Sequence, residues 1–422
     1  MSAAVVTGIG VTAPNGLGTE EYWSAVVEGR SGIGPVTRFD ARRYPSRLAG
    51  EVSDFEAKKH LPSRLLSQTD RMTQLALVAA EWALADAGVA PGELPAYDMG
   101  VVTASASGGF EFGHRELENL WSKGGQYVSA YQSFAWFYAV NTGQISIRHG
   151  MKGPSGVVVT EQAGGLDAAA QARRQLRKGT TLVVTGGVDG SLCPWGWAAH
   201  LTSGRMSTGD DPDRAYLPFD PDAAGHVPGE GGAILILESA QAARDRGAPK
   251  VYGELAGYGA TFDPAPETGR PSTFTRAVRL ALAEAGIGAD EVDVVFADGA
   301  GVPELDAAEA QTIVELFGPR GVPVTVPKTM TGRLYSGGAS LDLATALLAL
   351  RDGVIPPTVN VTARPGYELD LVTGQARRQP LRHALVLARG NGGFNAAMVV
   401  RGVPASPAAP VAPAASTANA RE

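Results

Sequence analysis

The chain has 422 residues, 44% of them hydrophobic and 19% charged, with a formal net charge of −7. That length exceeds one ordinary hydrophobic core and predicts two domains or two similar halves, while the acidic balance provides no basic footprint for nucleic acid. A single cysteine, Cys193, excludes an internal disulfide or cysteine metal cluster and fits a reducing cytoplasm.

The N-terminal run Ala3 to Val11 reads as a buried strand ending at the turn residues Pro14, Asn15 and Gly16. It lacks a positively charged leader, and no uninterrupted apolar run approaches the ~18 residues of a membrane span, so neither secretion nor membrane insertion is expected. Asp70 to Ala87 follows as an amphipathic helix with Asp70 near its cap. Further strands are expected at Met99 to Thr103, Gly156 to Thr160, Thr181 to Thr185, Ala233 to Leu237, Val292 to Ala297, Val322 to Val326, Ala384 to Ala388 and Ala397 to Arg401. Helices are expected near 110 to 121, 163 to 178, 274 to 286, 304 to 317 and 338 to 351, an alternation that predicts a layered α/β fold.

Two segments resemble each other, GGLDAAAQARRQLRKG from Gly164 and GGASLDLATALLALRDG from Gly337. Each is a Gly-Gly pair opening a small-residue helix that is apolar on more than one face, as for helices buried between two sheets, and the pair hints at internal duplication. A boundary near Arg244 to Lys250 divides the chain into halves 2–245 and 246–403. The Ala/Pro-rich remainder, 404–422, has almost nothing to bury and is expected to be disordered.

The segment GPSGVVVTEQAGG places an apolar strand before a tight turn and a helix, the geometry that presents a reactive side chain in nucleophile elbows; Gln162 stands at that turn. A carboxamide forms no acyl intermediate. Downstream, DGAGVPELDAAE sets Asp298 eleven residues before Glu309, and KTMTGR carries Lys328, Gly332 and Arg333. The stretches PFDPDAAGHVPGEGGAILILE and LARGNGGFNAAMV are Gly-rich, with Asn391 in the second. The six histidines show no metal-ligand spacing, and Cys193, away from the nucleophile turn, reads as a buried structural thiol.

Together these segments resemble the β-ketoacyl synthases over roughly residues 2 to 402, and in their particular replacements the chain length factor branch of aromatic polyketide synthases. The resemblance implies a thiolase-like fold, a duplicated five-layered αβαβα sandwich. In that family cysteine stands at the position of Gln162, where a helix N-terminus lowers its pKa, and histidines stand at the positions of Asp298 and Arg333, where they assist malonyl decarboxylation. Lys328 and Glu309 are retained. The implied protein has no catalytic residues or cofactor of its own, pairs with an active ketosynthase, meets an acyl carrier protein and shapes the cavity in which a poly-β-ketone grows. Asp298 and Arg333 are expected to form a structural ion pair. Gln162 either plugs the dead site and orders the turn or is a polar filler bonded to backbone.

A priming malonyl-carrier-protein decarboxylase is the alternative reading, disfavoured because such domains keep both histidines. A complete condensing enzyme would need a serine or cysteine at the turn. The aromatic run YVSAYQSFAWFYAV at 127 to 140 offers an apolar pairing surface. Phe110, Gly113 and Leu117 follow i, i+3, i+7 spacing, within roughly 60° of arc over about 10 Å of helix. They match the family's tunnel-gate positions. With Gly113 and Leu117 in place of bulkier residues, the expected product is longer than an octaketide.

Overall fold

In the computed structural model, residues 3–403 are described; the expected tail, 404–422, lies outside the described residues. In chain order the main elements are β1 (Ala4–Ala13), α1 (Arg71–Asp86), β2 (Met99–Ala104), α2 (Phe110–Lys123), α3 (Val140–His149), β3 (Ser155–Val158), α4 (Gly164–Arg177), β4 (Leu182–Asp189), α5 (Pro194–Leu201), β5 (Gly231–Ser239) and β6 (Gly253–Phe262). They continue as α6 (Phe274–Ala285), β7 (Val294–Phe296), α7 (Pro303–Phe317), β8 (Pro323–Thr325), α8 (Ser336–Asp352), β9 (Asp370–Leu371), β10 (His383–Gly390) and β11 (Phe394–Gly402).

Hydrogen bonding links the strands in the order β3-β2-β4-β5-β1-β6-β11-β10-β7-β8-β9. In the first half β2 is parallel to β3 and β4, and β5 is antiparallel to β4 and β1. The second half repeats this directionality, with β7 parallel to β8 and β10, and β11 antiparallel to β10 and β6. Only Val5 with Glu254 and Val6 with Gly253 join the halves through β1 and β6. The arrangement is therefore one five-stranded unit used twice, with β9 added at one edge.

Helices fill the layers that this duplication creates. Helix α1 covers β1 and β5, α6 covers β6 and β11, and α4 and α8 pack on each other between the two halves, α8 reaching strands of both. Every residue from Ser336 to Leu350 is buried, since α8 meets apolar surface all round. The result is the αβαβα thiolase-like sandwich, and α4 and α8 are the two Gly-Gly helices that resemble each other in sequence.

Strand β6, GELAGYGATF, escapes the sequence reading because its glycines lower strand propensity. The structure shows what they are for. A Cβ at Gly257 would lie 2.1 Å from the Ala281 carbonyl and one at Gly259 would lie 2.0 Å from that of Ala277, so only glycine lets α6 approach. Gly8 and Gly10 of β1 have the same relation to Ala83 and Ala79 of α1, at 2.2 and 2.0 Å, which repeats the duplication in atomic detail.

Candidate functional site

Strand β3 ends at Val158, two residues short of the expected Thr160, because the chain turns into a 3-10 segment, Glu161–Ala163, before α4. Glu161 sits at φ 50°, a left-handed conformation that a non-glycine residue adopts only under tertiary constraint. Two contacts provide that constraint: Ser336 Oγ donates to the Glu161 carbonyl at 3.1 Å, and the Asn391 amide donates to Glu161 Oε2 at 2.8 Å. The elbow's strained geometry is thus present without its nucleophile.

Gln162 is fully buried. Among the described residues neither its amide oxygen nor its nitrogen has a hydrogen-bond partner, which corrects the reading of a backbone-bonded filler. Its carboxamide lies instead against the first turn of α8, where a Cβ on Gly338 would come within 2.4 Å of Nε2. The side chain fills space at the cost of unsatisfied polar atoms.

The two expected histidine positions meet in one buried ion pair. Arg333 donates to Asp298 through Nη1 at 3.2 Å and Nη2 at 3.1 Å, a bidentate geometry, and also to the carbonyls of Asp298 and Arg389. Burial alone would raise the Asp298 carboxyl, but Arg333 and then Arg389 outweigh it and hold it below the usual carboxylate range. Arg389, missed in the sequence although it ends an apolar strand, donates its backbone amide to Asp298 at 3.1 Å and its guanidinium to the Leu305 carbonyl at 2.9 Å. Glu309 accepts from the amides of Asp298 at 2.7 Å and Gly299 at 2.9 Å, shaping the loop beneath the pair. Lys328 is bound to the Ala297 carbonyl and to Asp342, both at 2.7 Å. Asp298, Arg333 and Arg389 therefore form one buried charge network that Glu309 braces, while Lys328 is committed to Asp342.

A cavity of ≈ 700 Å³ opens beside this network, lined in part by Glu161, His200, His226, Asp298, Arg333 and Tyr335. Burial pushes His200 down to about 4 and His226 well below the ordinary imidazole range, so both are neutral near pH 7. His200 Nε2 is already engaged with Ser191 Oγ at 2.6 Å and its ring stacks on Tyr335 at 4.2 Å. His226 belongs to the Gly-rich stretch PFDPDAAGHVPGEGGAILILE, whereas His200 lies outside the motifs singled out in the sequence.

Phe110, Gly113 and Leu117 do not line that cavity. They lie on α2, where Phe110 stacks on Trp195 with ring centroids 4.4 Å apart. A Cβ on Gly113 would approach the same indole at 3.2 Å and Trp136 at 3.7 Å. The room expected beside Gly113 is thus taken by Trp195, a residue in the segment SLCPWGW that sequence reasoning read only for its cysteine. Leu117 is 36% exposed. Leu120, Trp121 at 84% exposure, and Tyr127, Tyr131, Trp136, Phe137 and Tyr138 of the aromatic run are likewise partly or largely open.

A duplicated thiolase-like sandwich with a nucleophile elbow and a buried network at the paired loops defines a condensing-enzyme scaffold. The chain belongs to the β-ketoacyl synthase family: the N-terminal domain of β-ketoacyl synthase matches residues 1–243 and the C-terminal domain matches 252–362. Within it, the chain falls in the ketosynthase beta, or chain length factor, branch. It is 64% identical over 400 residues to the actinorhodin polyketide β-ketoacyl synthase 2 of Streptomyces coelicolor, covering 94% of this chain and 98% of that one. It is 63% identical over 399 residues to the tetracenomycin polyketide synthase ketoacyl synthase beta subunit of Streptomyces glaucescens, with the same coverage. Among solved structures, the ishigamide ketosynthase/chain length factor superposes with a TM-score of 0.87 at 28% identity over 96% of this chain and 100% of that chain. A type II polyketide acyl carrier protein in complex with its ketosynthase bound to a hexaketide gives 0.84 at 26% identity over 95% and 100%. Among the described residues no helix is long and apolar enough to cross a membrane.

Proposed function

We propose that this chain is the non-condensing subunit of a cytoplasmic aromatic polyketide synthase: it pairs with an active ketosynthase and bounds the cavity that sets polyketide length. The observation that carries this reading is the buried Asp298–Arg333 pair, since the two groups that would assist decarboxylation are tied to each other by two hydrogen bonds. Neither is free to move a proton or to stabilise an enolate, and Gln162 cannot carry an acyl chain. Decarboxylative condensation then falls to the partner, which draws malonyl units from an acyl carrier protein.

The pairing surface is the end of the sheet. Strand β3 closes the hydrogen-bonded path, and among the described residues one of its edges is unpaired. The exposed aromatic residues of 127–140 lie in the stretch that leads to it, and a large exposed apolar patch of this kind marks an interface. Residues 2–245 and 246–403 act as the two halves of one scaffold. Leu117, smaller than phenylalanine, leaves the distal end of α2 open, and on it now rests the proposal of a product longer than an octaketide. Co-expression with the cognate ketosynthase is expected to give a stable one-to-one heterodimer by analytical ultracentrifugation; a soluble monomer that ignores the ketosynthase would refute the assignment.

A further inference from the structure

Helix α2 carries the three proposed gate residues, yet its own N-terminus is poorly equipped to hold still. Gly109 precedes it and offers no side-chain cap. Asp70 supplies one from another helix: it caps α1 through the Met72 amide at 2.9 Å and accepts from the Phe112 amide of α2 at 2.7 Å. The residue between Phe110 and Phe112 makes the second attachment. Glu111 accepts from Nη2 of Arg38, and Nη1 of the same guanidinium donates to Glu230 at 2.8 Å.

Both ends of that bridge are fixed. Glu230, whose side chain is 1% exposed, also receives Arg71 Nε and Nη2, each at 2.9 Å, and the Val52 amide at 3.0 Å. The loop bearing Arg38 is held by Glu51, which accepts from Thr37 N at 2.9 Å and Thr37 Oγ1 at 2.6 Å. A charge-assisted bond to a pre-placed, largely buried partner resists displacement far more than a surface pair, whose long side chains must first be ordered.

We infer that Glu111, held by Arg38 and Glu230, is the positioning residue that fixes the first turn of α2 and thereby keeps Phe110 closed on Trp195. This rests on the reading of Phe110 and its neighbours as the gate. Phe110 stacks on the indole that a Cβ at Gly113 would also meet, so a small shift of the turn moves Phe110 relative to Trp195. Glu111 touches no substrate path; it acts through Phe110.

The test uses the intact heterodimer with two readouts, hydrogen exchange of peptides spanning 108–117 and the length distribution of products normalised to total polyketide. Glu111→Ala is expected to speed exchange at the Phe112 and Gly113 amides by roughly tenfold, the scale of one lost charge-assisted hydrogen bond, and to spread products over neighbouring lengths. Glu111→Gln, which still offers Arg38 an oxygen, is expected to restore both readouts. Arg38→Met, which leaves Glu230 paired with Arg71, is expected to reproduce Glu111→Ala and supplies the same test where that variant fails to assemble. Wild-type exchange in Glu111→Ala and Arg38→Met would overturn the inference whatever their products. Faster exchange with unchanged lengths would uphold the anchor and instead reject the gate reading of Phe110.

Discussion

Asp298 and Arg333 form a buried ion pair where the family resemblance implies two catalytic histidines. Both side chains are almost wholly buried, and each satisfies the other's charge. Removing one partner strands the other, and breaking a buried pair costs about 3–5 kcal/mol. Arg333→Met is therefore expected to lose stability near the lower end of that range, because Arg389 still faces Asp298 with its amide and with its guanidinium at 3.7 Å. Adding Asp298→Asn is expected to recover part of the loss. Thermal denaturation of the heterodimer checks both, and a single variant as stable as the parent would mean the pair is not structural. The identities of these residues, and the loss of cysteine at Gln162, are plain in the sequence because spacing within each motif survives. What the sequence could not show is that the Gln162 amide lacks partners, or that Arg389 completes the network, since those depend on which loops the fold brings together.

At the scale of elements, α2 is where local pattern and tertiary context diverge. The i, i+3, i+7 spacing correctly places Phe110, Gly113 and Leu117 along one helix, but Trp195 of α5, distant in sequence, occupies the space that Gly113 vacates. Threonine at position 113 must push that indole aside, and phenylalanine at 117 fills the open end. The double variant Gly113→Thr/Leu117→Phe is expected to shift a correctly assembled heterodimer toward shorter polyketides without abolishing synthesis, as mass spectrometry of the products would show; unchanged lengths would mean that α2 is not the ruler. Strand β6 went unread for a similar reason: its glycines, unfavourable for a strand in isolation, exist to admit α6. The Gly-Gly openings of α4 and α8 were legible because burial on all sides forces small residues, and that composition survives in both copies.

Across the whole molecule, buried ionisable groups set the response to pH. Burial raises Asp70 and Asp189 to about 6, Asp306 to about 7 and Glu111 to about 8. Each binds its proton more tightly folded than unfolded, so its contribution is present at low pH and is lost as pH rises through these values. His200, lowered by burial to about 4 from 6.5, works in the opposite sense, adding stability as pH rises between those limits and nothing beyond. Burial lowers His226 and His149 in the same sense, and these opposing effects fade about one pH unit above the unfolded imidazole value, so the melting temperature of the heterodimer is expected to fall between about pH 7.5 and 8; a rise over that interval would contradict the assigned burial.

On the proposed reading, the edge strand and the exposed aromatic residues belong to one half of an assembly, and the elbow at Gln162 to the half that does not condense. Mass spectrometry of carrier-bound and released ketides from a reconstituted system tests this most directly, comparing this chain alone, its Gln162→Cys variant alone, the cognate ketosynthase alone and the pair, each with malonyl acyl carrier protein. Full-length polyketide is expected only from the pair. Even a thiolate at position 162 is expected to yield no elongated ketide, because Asp298 and Arg333 cannot replace two imidazoles. An elongated chain made by this subunit or its Gln162→Cys variant without the ketosynthase would contradict the account.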